Sequence, residues 1–306
     1  NGNKFERGSI IILQTSNAAK GKNLWPLVRS IADVNNIQLY PVNSGMVDKG
    51  FDFGSDMVHS LRAPSVYMIT GDAISTTAAG GIWSFFEQEL GYPLTQVSTN
   101  DIQRIDWNKV DVLIMPDGNY RFLNDKDLTE NFKAWIRKGG RVVALESAVA
   151  QLSKVELGPK PKKAAETDKK EKSAAVDYDA LKKFEERERD AMTDITAGSI
   201  YKVELDNTHP LAFGYPDFYY TLKQDDQLYE FLTDGGWNVG VIKKDNQVAG
   251  FVGSNLKQKM KDGVLFAVQG IGSGAVIALS DDVLFRNFWE NGKLLFCNAI
   301  FMTGIR

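Results

Sequence analysis

Short polar side chains follow three apolar runs of the sequence, at 110–115, 141–145 and 275–279. Apolar runs of this length, bounded by turn residues, are typical of strands buried on both faces of a parallel sheet. Ligands of such sheets gather at the carboxyl ends of the strands, so we expect the polar residues to line one pocket. Carboxylates converging there could bind a cation or act as acid and base. The candidate pocket residues are Asp117, Gly118, Glu146, Ser147, Asp281 and Asp282.

Nucleophilic catalysis is not favoured by the residues at the centre of this pocket. A strand–nucleophile–helix elbow needs a sharply turned backbone, normally with glycines on both sides of the nucleophile. Here Glu146 stands at the apex and both glycines are missing. Ser147 could attack an acyl group only with a base in hydrogen-bond reach, and neither His59 nor His209 lies in a segment expected to supply one. Cys297 belongs to an apolar, helix-like run, where a buried thiol is inert.

The two histidines also argue against a metal site. His59 and His209 are far apart in the sequence, and no cysteine or second histidine lies near either. Zinc sites in proteins take three or four such ligands, so we expect neither a metal nor another cofactor in this chain. His209 precedes Pro210 in a turn, and a hydrogen-bonded structural role is the better prediction for it.

The segment 270–274, with the sequence GIGSG, suggests a phosphate-binding loop at first sight. A dinucleotide-binding loop follows a strand and opens a helix. These glycines lead into the apolar run 275–279 instead. A tight hairpin turn between two strands is therefore the stronger prediction.

Composition excludes several classes of partner. The formal net charge of -3 gives no long-range attraction to nucleic acid or to anionic lipid. No apolar stretch approaches the ~20 residues that a membrane span needs. Hydrophobic residues at 43% and charged residues at 25% are ordinary for a globular protein. The chain begins at Asn1 without a methionine or a signal sequence, so we expect a processed protein or a piece of a longer one.

Strands and helices are predicted to alternate through the first half of the chain, as in a doubly wound, mostly parallel α/β sheet. A helix capped by Asn23 presents apolar residues as far as Ile31. The small residues 76–81 are predicted to form a loop before the next helix, and a further helix at 123–138 ends at two glycines. Predicted strands lie at 9–13, 37–42, 65–70, 94–97, 110–115 and 141–145.

The composition changes at Lys154. From there to about residue 196 the sequence is highly charged, which predicts a flexible insertion with a charged helix at 178–192. Interspersed acidic residues make a solvated surface a better prediction than a nucleic-acid patch. We divide the chain into an N-terminal α/β segment, 1–62, packed on the main sheet, and a main domain, 63–306. Later elements are strands at 200–205, 219–222, 239–242, 248–252, 264–268 and 275–279, and a helix at 285–301.

Three segments of the chain, at 116–118, 139–152 and 274–286, resemble a class I glutamine amidotransferase-like domain. In that family the first segment helps to build the oxyanion hole. The second carries the catalytic cysteine, and the third carries the catalytic histidine and glutamate. The resemblance implies a flavodoxin-like fold, but it argues against the activity because all three catalytic positions are changed. The cysteine, histidine and glutamate positions hold Glu146, Asp282 and Leu284, respectively.

A closer resemblance covers most of the chain. The runs 198–215 and 280–301, and the charged segment before the first run, are similar to the C-terminal region of large bacterial zinc carboxypeptidase-like proteins. In those proteins an amidotransferase-like domain follows the peptidase domain. The zinc-binding motif of that family is absent here, so the resemblance places the zinc in a missing N-terminal part. Proteins of this kind are usually exported, which implies a periplasmic or extracellular location.

Three functions are therefore open at this point, the third being an interaction module for a different partner. The first is a non-catalytic accessory domain that stabilises a zinc carboxypeptidase domain of the same polypeptide or positions its substrate. The second is a stand-alone ligand-binding protein or hydrolase that uses the carboxylate-lined pocket. Aromatic residues that could form a docking patch, but for which a place in the core is the first prediction, are Trp83, Tyr120, Tyr219, Tyr220 and Trp237.

Overall fold

The computed structural model describes residues 2–162, 183–244 and 246–304. These residues form two compact units, and the boundary between the units falls between Leu61 and Arg62. The predicted boundary at residue 62 lies beside it. Packing of the first segment on the main sheet stays a prediction.

The first unit has no strand in its described residues, so the strands predicted at 9–13 and 37–42 are wrong. Its main element is helix α1 (Leu24–Val34), which Asn23 precedes without capping it through its side chain. A strand needs a neighbour that satisfies its N–H and C=O groups, and apolar composition alone does not supply one. At the end of α1 the Ile37 N–H instead donates to the Ala32 carbonyl at 2.8 Å.

The second unit is built on one mixed sheet, which has ten strands in the described residues. In chain order the strands are β1 (Val66–Thr70), β2 (Leu94–Ser98), β3 (Val112–Met115), β4 (Arg141–Leu145), β5 (Thr196–Leu205), β6 (Phe218–Lys223), β7 (Gly236–Ile242), β8 (Gln247–Val252), β9 (Gly263–Ile271) and β10 (Gly274–Leu279).

Five strands form a parallel half with the spatial order β2-β1-β3-β4-β10. This is the strand order of flavodoxin-like sheets. Every residue of β3, β4 and β10 is buried. Apart from Arg141, their residues are apolar, as is typical of parallel strands that are covered on both faces and have no solvent-facing side.

The other half of the sheet is antiparallel and continues from β10 in the order β9-β7-β5-β6, with β8 paired to β5. The glycine-rich segment 270–274 is the turn between β9 and β10, in which Ile271 pairs with Gly274. The hairpin prediction is therefore confirmed. An added Cβ at Gly274 would lie 2.1 Å from the Ile136 carbonyl oxygen, so only glycine fits there.

Helices cover both faces of the parallel half. One buried cluster packs α2 and α7 on the sheet, and a second cluster packs α3 and α4 on the opposite face. The predicted doubly wound α/β fold is confirmed. The helices of this unit are α2 (Thr76–Ser84), continued by a π-helical turn (Phe85–Leu90), α3 (Lys126–Arg137), α4 (Ser147–Lys154), α5 (Arg187–Ala191), α6 (Ser254–Lys259) and α7 (Glu290–Phe301).

Two helix boundaries differ from the prediction. The small residues at 76–81 form helix α2 itself rather than a loop, because the Ser75 hydroxyl accepts the Ala78 N–H and caps it. The last helix begins at Glu290 rather than at 285. Arg286 and Asn287 both have left-handed backbone conformations (φ 49° and 58°), which interrupt a helix.

The charged insertion is described only in part. Residues 163–182 lie outside the described residues, and most of the first half of the helix predicted at 178–192 falls among them. After this gap, a short 3-10 turn (Phe184–Glu186) leads into α5. The flexibility of the insertion stays a prediction.

Candidate functional site

The turn from β4 into α4 has the sharp geometry of a strand–helix elbow. Glu146 at its apex has φ 48° and ψ −123°, a conformation that a non-glycine residue rarely adopts. The Glu146 N–H donates to the Leu279 carbonyl at 2.9 Å, and its carbonyl accepts the Val149 N–H at 3.1 Å. Backbone strain of this kind persists where the surroundings enforce it, most often at functional sites. The elbow predicted from the sequence is therefore formed, with a carboxyl group at its apex.

The residue after the apex is fixed by the β3 turn. The Ser147 hydroxyl donates to the Asp117 carboxylate, and it accepts the Gly118 N–H at 3.1 Å. Gln151, one turn later on α4, donates to the Gly118 carbonyl and accepts the Tyr120 N–H at 2.9 Å. The Ser147 hydroxyl is therefore hydrogen-bonded to a carboxylate and to a backbone amide, and it links α4 to the turn after β3. The Gly118 N–H is likewise used within the protein.

The sheet's switch point, between β1 and β3, is closed by backbone hydrogen bonds. The Ser75 N–H donates to the Asp117 carbonyl, and the Asn119 N–H donates to the Ala73 carbonyl, both at 2.8 Å. Gly118 is necessary here because an added Cβ would lie 2.6 Å from the Ile74 side chain and 2.9 Å from the Ala73 oxygen. Open α/β sheets usually bind ligands at this point. The carboxylates of the site instead lie toward β4 and β10.

Carboxyl groups from four elements surround the elbow. Burial raises the pKa of Glu146 to about 8, and the charges of Asp282, Asp117, Asp225 and Asp281 add to this effect in that order. At neutral pH the Glu146 side chain is therefore largely protonated. It has no hydrogen bond or ion pair with another side chain among the described residues. The predicted pocket residues thus come together, and the structure adds Asp225, which the sequence did not indicate.

One buried ammonium group neutralises part of this cluster. Lys223, at the end of β6, has no exposed surface, and its Nζ lies 2.6 Å from Asp281 and 2.8 Å from Asp225. The same Nζ donates to the Gln227 carbonyl at 2.8 Å, and the Thr221 hydroxyl donates to Asp281. Lys223 is not among the residues that the sequence indicated for this site. The sequence of β6 could have indicated it, because Lys223 falls on the same face of the strand as the buried Tyr219 and Thr221. A buried lysine requires a carboxylate partner.

The positions that resemble the catalytic histidine and glutamate hold a carboxylate and a core residue. Asp282 accepts the Leu284 N–H at 3.0 Å through its side chain. Burial raises the pKa of Asp282, and nearby carboxylates raise it further, while that hydrogen bond opposes the increase. The Leu284 side chain is buried in the core between α7 and the sheet. Neither position holds an imidazole, and the Leu284 side chain has no group that can accept a proton.

Three buried polar atoms, on β6 and in the turn before α7, have no hydrogen-bond partner of good geometry in the described residues. Tyr219 is 1% exposed, and its hydroxyl has no hydrogen-bond partner in the described residues. The Trp289 indole N–H faces the Tyr219 hydroxyl and favours the ionised form of the tyrosine. The geometry of this contact is too poor for a regular hydrogen bond. The main effect on Tyr219 is burial, which raises its pKa, and the charges of Asp281 and Asp282 act in the same direction. The Asn287 side-chain oxygen is a third such atom.

The segment 206–215, which carries the more specific resemblance, is a structural connection to α7. The His209 Nδ1 accepts the Leu211 N–H at 3.1 Å, which confirms its predicted structural role, and burial lowers its pKa to about 4. The Tyr215 hydroxyl accepts the Leu295 N–H and donates to a carbonyl one turn earlier, so it inserts into the hydrogen bonds of α7. Asn298 donates to the Leu211 carbonyl at 3.1 Å.

The remaining candidate nucleophile is protected in the same helix. Cys297 is half-buried in α7, and burial raises the pKa of its thiol to about 11. At neutral pH such a thiol is protonated. The sequence predicted a buried thiol, whereas the structure leaves Cys297 partly exposed, and its inertness stays a prediction. The other predicted histidine, His59, belongs to the first unit.

The aromatic residues predicted as core or docking candidates divide into two groups. Tyr120 and Tyr219 are buried, whereas Trp83, Tyr220 and Trp237 are exposed. In the described residues, no set of three or more His, Cys, Asp or Glu side chains is placed to hold a metal ion. None of the helices described combines the length and apolar character that a membrane span requires.

Comparison with solved structures finds similar chains. A glutamine amidotransferase from Thermotoga maritima has 10% sequence identity and a TM-score of 0.46, with 78% of this chain and 97% of that chain covered. A ThuA-like protein from Bacteroides uniformis has 14% identity and a TM-score of 0.45, with 78% and 91% covered. An exo-beta-1,4-mannosidase from an Opitutaceae bacterium has 11% identity and a TM-score of 0.43, with 78% and 36% covered. No protein-family model and no curated protein matches the chain.

Proposed function

We propose that this chain is a non-catalytic amidotransferase-like accessory domain. The observation that carries the proposal is the elbow itself, where Glu146 occupies the nucleophile position and the adjacent Ser147 is bonded to Asp117 and Gly118. A protonated carboxyl group at the apex cannot attack an acyl carbon as a thiolate does, and the position that resembles the catalytic histidine holds Asp282 rather than an imidazole. The domain keeps the geometry of an acyl-transfer elbow without its reactive groups.

The proposed partner is a zinc carboxypeptidase domain that precedes this region in the same polypeptide. The support is the sequence resemblance of 198–215 and 280–301. The structure gives these segments a shared role, because Tyr215 and Asn298 join the loop after β5 to α7. In this proposal the peptidase domain supplies the zinc and the hydrolytic chemistry in a periplasmic or extracellular setting. The accessory domain stabilises the peptidase domain or positions its substrate.

The absence of acyl-transfer chemistry can be tested by labelling the purified chain. An electrophilic glutamine analogue and a general thiol reagent should modify Cys297 and Ser147 no faster than ordinary side chains. Glu146→Cys is the matched control, because it places a thiol at the elbow apex and reports whether reagents reach it. Rapid labelling of Ser147 or Cys297 in the unsubstituted chain, or hydrolysis of glutamine, would refute the proposal.

The accessory role is tested separately in the parent polypeptide. Removing residues 62–304 should lower the thermal stability or the peptide turnover of the peptidase domain, while its zinc content per folded molecule stays constant. A peptidase domain with unchanged stability and turnover would exclude the accessory role but would leave the inert elbow unaffected.

The second candidate function is ligand binding, or acid–base hydrolysis, at the carboxylate-lined elbow. It is favoured by Glu146, because a strained residue whose pKa is raised to about 8 by burial is characteristic of functional sites. A neutral carboxyl beside the carboxylate of Asp282 could donate and accept protons near neutral pH. Thermal shifts with calcium or sugars test this candidate, and Glu146→Gln should abolish any stabilisation they produce.

A further inference from the structure

Strand β2 forms one edge of the sheet, and in the described residues it pairs with β1 alone. Its five residues pair with β1 in an uninterrupted register and include neither a proline nor a charged side chain. Proteins usually protect such an edge with a bulge, a charge or a proline, because its free N–H and C=O groups can pair with another strand. The β2 edge has none of these three devices.

Two other strands at the borders of the sheet are protected. At the opposite edge, the Asn291 side chain of α7 donates to the Tyr220 carbonyl of β6 at 3.1 Å, so this carbonyl is not free to pair with another strand. The pairing of β8 with β5 shifts its register twice, as bulges do. The open edge is therefore a feature of β2 and not of this sheet in general.

One hydrogen bond shows which backbone groups of β2 face outward. The Thr70 hydroxyl on β1 donates to the Val97 carbonyl at 3.5 Å, so the backbone groups of Val97 face β1. The N–H and C=O groups of successive residues point to opposite edges of a strand, so those of Gln96 point away from β1. Gln96 is exposed, and a strand added at this edge would therefore form hydrogen bonds with its backbone.

A cavity of about 380 Å³ adjoins the start of this edge. The Tyr92 hydroxyl donates to the Pro64 carbonyl, and the Asp111 carboxylate accepts the Ser65 N–H, both at 2.7 Å. These bonds hold the walls in place, so the cavity is preformed. It is lined mainly by apolar residues and has room for a large apolar side chain. The lining includes Pro64, Val66, Tyr92, Pro93, Thr95 and Asp111.

We propose that the β2 edge binds an extended peptide, which adds a strand to the sheet and places an apolar side chain in the adjoining cavity. In this mode of binding, main-chain hydrogen bonds give the affinity and side-chain pockets give the specificity. Gln96 supplies the first, and the cavity beside Thr95 supplies the second. This inference rests on the accessory function proposed above, because a peptide is the substrate that such a domain would position for a carboxypeptidase.

The test is fluorescence anisotropy of the whole chain with a labelled, end-blocked pentapeptide of the sequence TVLVT. This peptide should bind. Its N-methylated version should bind roughly tenfold more weakly or not at all, because it lacks the N–H donors that strand addition needs. A version with serine in place of the central leucine should also bind roughly tenfold more weakly, because it leaves the apolar cavity unfilled.

Variants locate the binding at this edge. Gln96→Pro removes the outward N–H but keeps the pairing with β1, so it should weaken binding roughly tenfold or more, whereas Gln96→Ala keeps the N–H and should bind like the wild type. Thr95→Trp narrows the cavity and should remove the preference for leucine over serine. Thr233→Trp, at an exposed position before β7, is its control. Thermal melting establishes that each variant is folded, and the N-methylated peptide tests the same hydrogen bonds without any substitution.

Three results would overturn the proposal. The first is no binding of the TVLVT peptide, and the second is equal binding of its N-methylated version. The third is a dimer in analytical ultracentrifugation that Gln96→Pro dissociates, because a second copy of the chain would then occupy the edge. None of them affects the inert elbow or the stabilisation of a peptidase domain, which are tested by labelling and by removal of residues 62–304.

Discussion

The buried ion pair beside the elbow gives the most quantitative prediction. Lys223 and Asp281 are joined at 2.6 Å, and their side chains are 0% and 3% exposed. Replacing Lys223 with Met keeps most of the side-chain volume but leaves the Asp281 carboxylate without its cation. Removing one partner of a buried pair is strongly destabilising because the other charge stays buried without compensation.

The expected loss is about 3–5 kcal/mol of the free energy of unfolding at neutral pH. For a unit of this size, that corresponds to a melting temperature roughly 6–20 °C lower. The loss should shrink as the pH falls. Burial raises the pKa of Asp281, and the charge of Lys223 opposes this increase. Without Lys223, the folded-state pKa of Asp281 therefore lies further above its unfolded value. The folded variant then binds more protons than the unfolded chain, and its stability rises toward acid pH.

Urea unfolding of the wild-type chain and the variant at several pH values measures this difference. Lys243→Met is the matched control, because Lys243 pairs with Glu204 on the surface, where such pairs contribute only about 0–1 kcal/mol. The double variant Lys223→Met, Asp281→Asn should recover part of the loss. If Lys223→Met costs less than about 1 kcal/mol at neutral pH, or shows the same loss at every pH, the buried-pair explanation is wrong.

Three further predictions concern the elbow and its supports. The folded-state pKa of Glu146 is raised from 4.5 to about 8. The free energy of unfolding should therefore fall by a few kcal/mol, the free-energy equivalent of this pKa difference, as the pH rises through that range. Urea unfolding at both ends of the range should show a smaller fall for Glu146→Gln, and an equal fall would contradict the assigned pKa. Gly292→Ala would put a Cβ 1.8 Å from the Val283 oxygen, so we expect a loss of about 3 kcal/mol or more in thermal melts. Gly80→Ala, in helix α2 with open space around it, should instead be neutral or stabilising by up to about 1 kcal/mol, and similar effects of the two would disprove the close approach. Ser147→Ala removes the hydroxyl that the β3 turn uses and should cost about 1–3 kcal/mol by chemical denaturation, whereas an unchanged midpoint would show that the link is not structural.

Most of the parallel half could be predicted from the sequence, because its signals are local. The runs that became β3, β4 and β10 are apolar except for Asp111 and Arg141 near their starts, and each is followed by turn residues, so strands and their carboxyl ends were placed to within two residues. The position of Glu146 at an elbow followed from the same pattern. The two apolar runs in the first unit carried the same local signal but formed no strands, because composition does not reveal whether a pairing partner exists.

The sequence by itself determined that a carboxyl group stands at the apex of the elbow, since residue identity is enough to show this. It did not determine what surrounds that carboxyl group. Lys223 and Asp225 lie 56 or more residues from Asp281 along the chain, and the antiparallel half brings them to the ends of the parallel strands. Only the tertiary structure decides this, because burial and the charges of distant neighbours, rather than residue type, set the protonation state of Glu146.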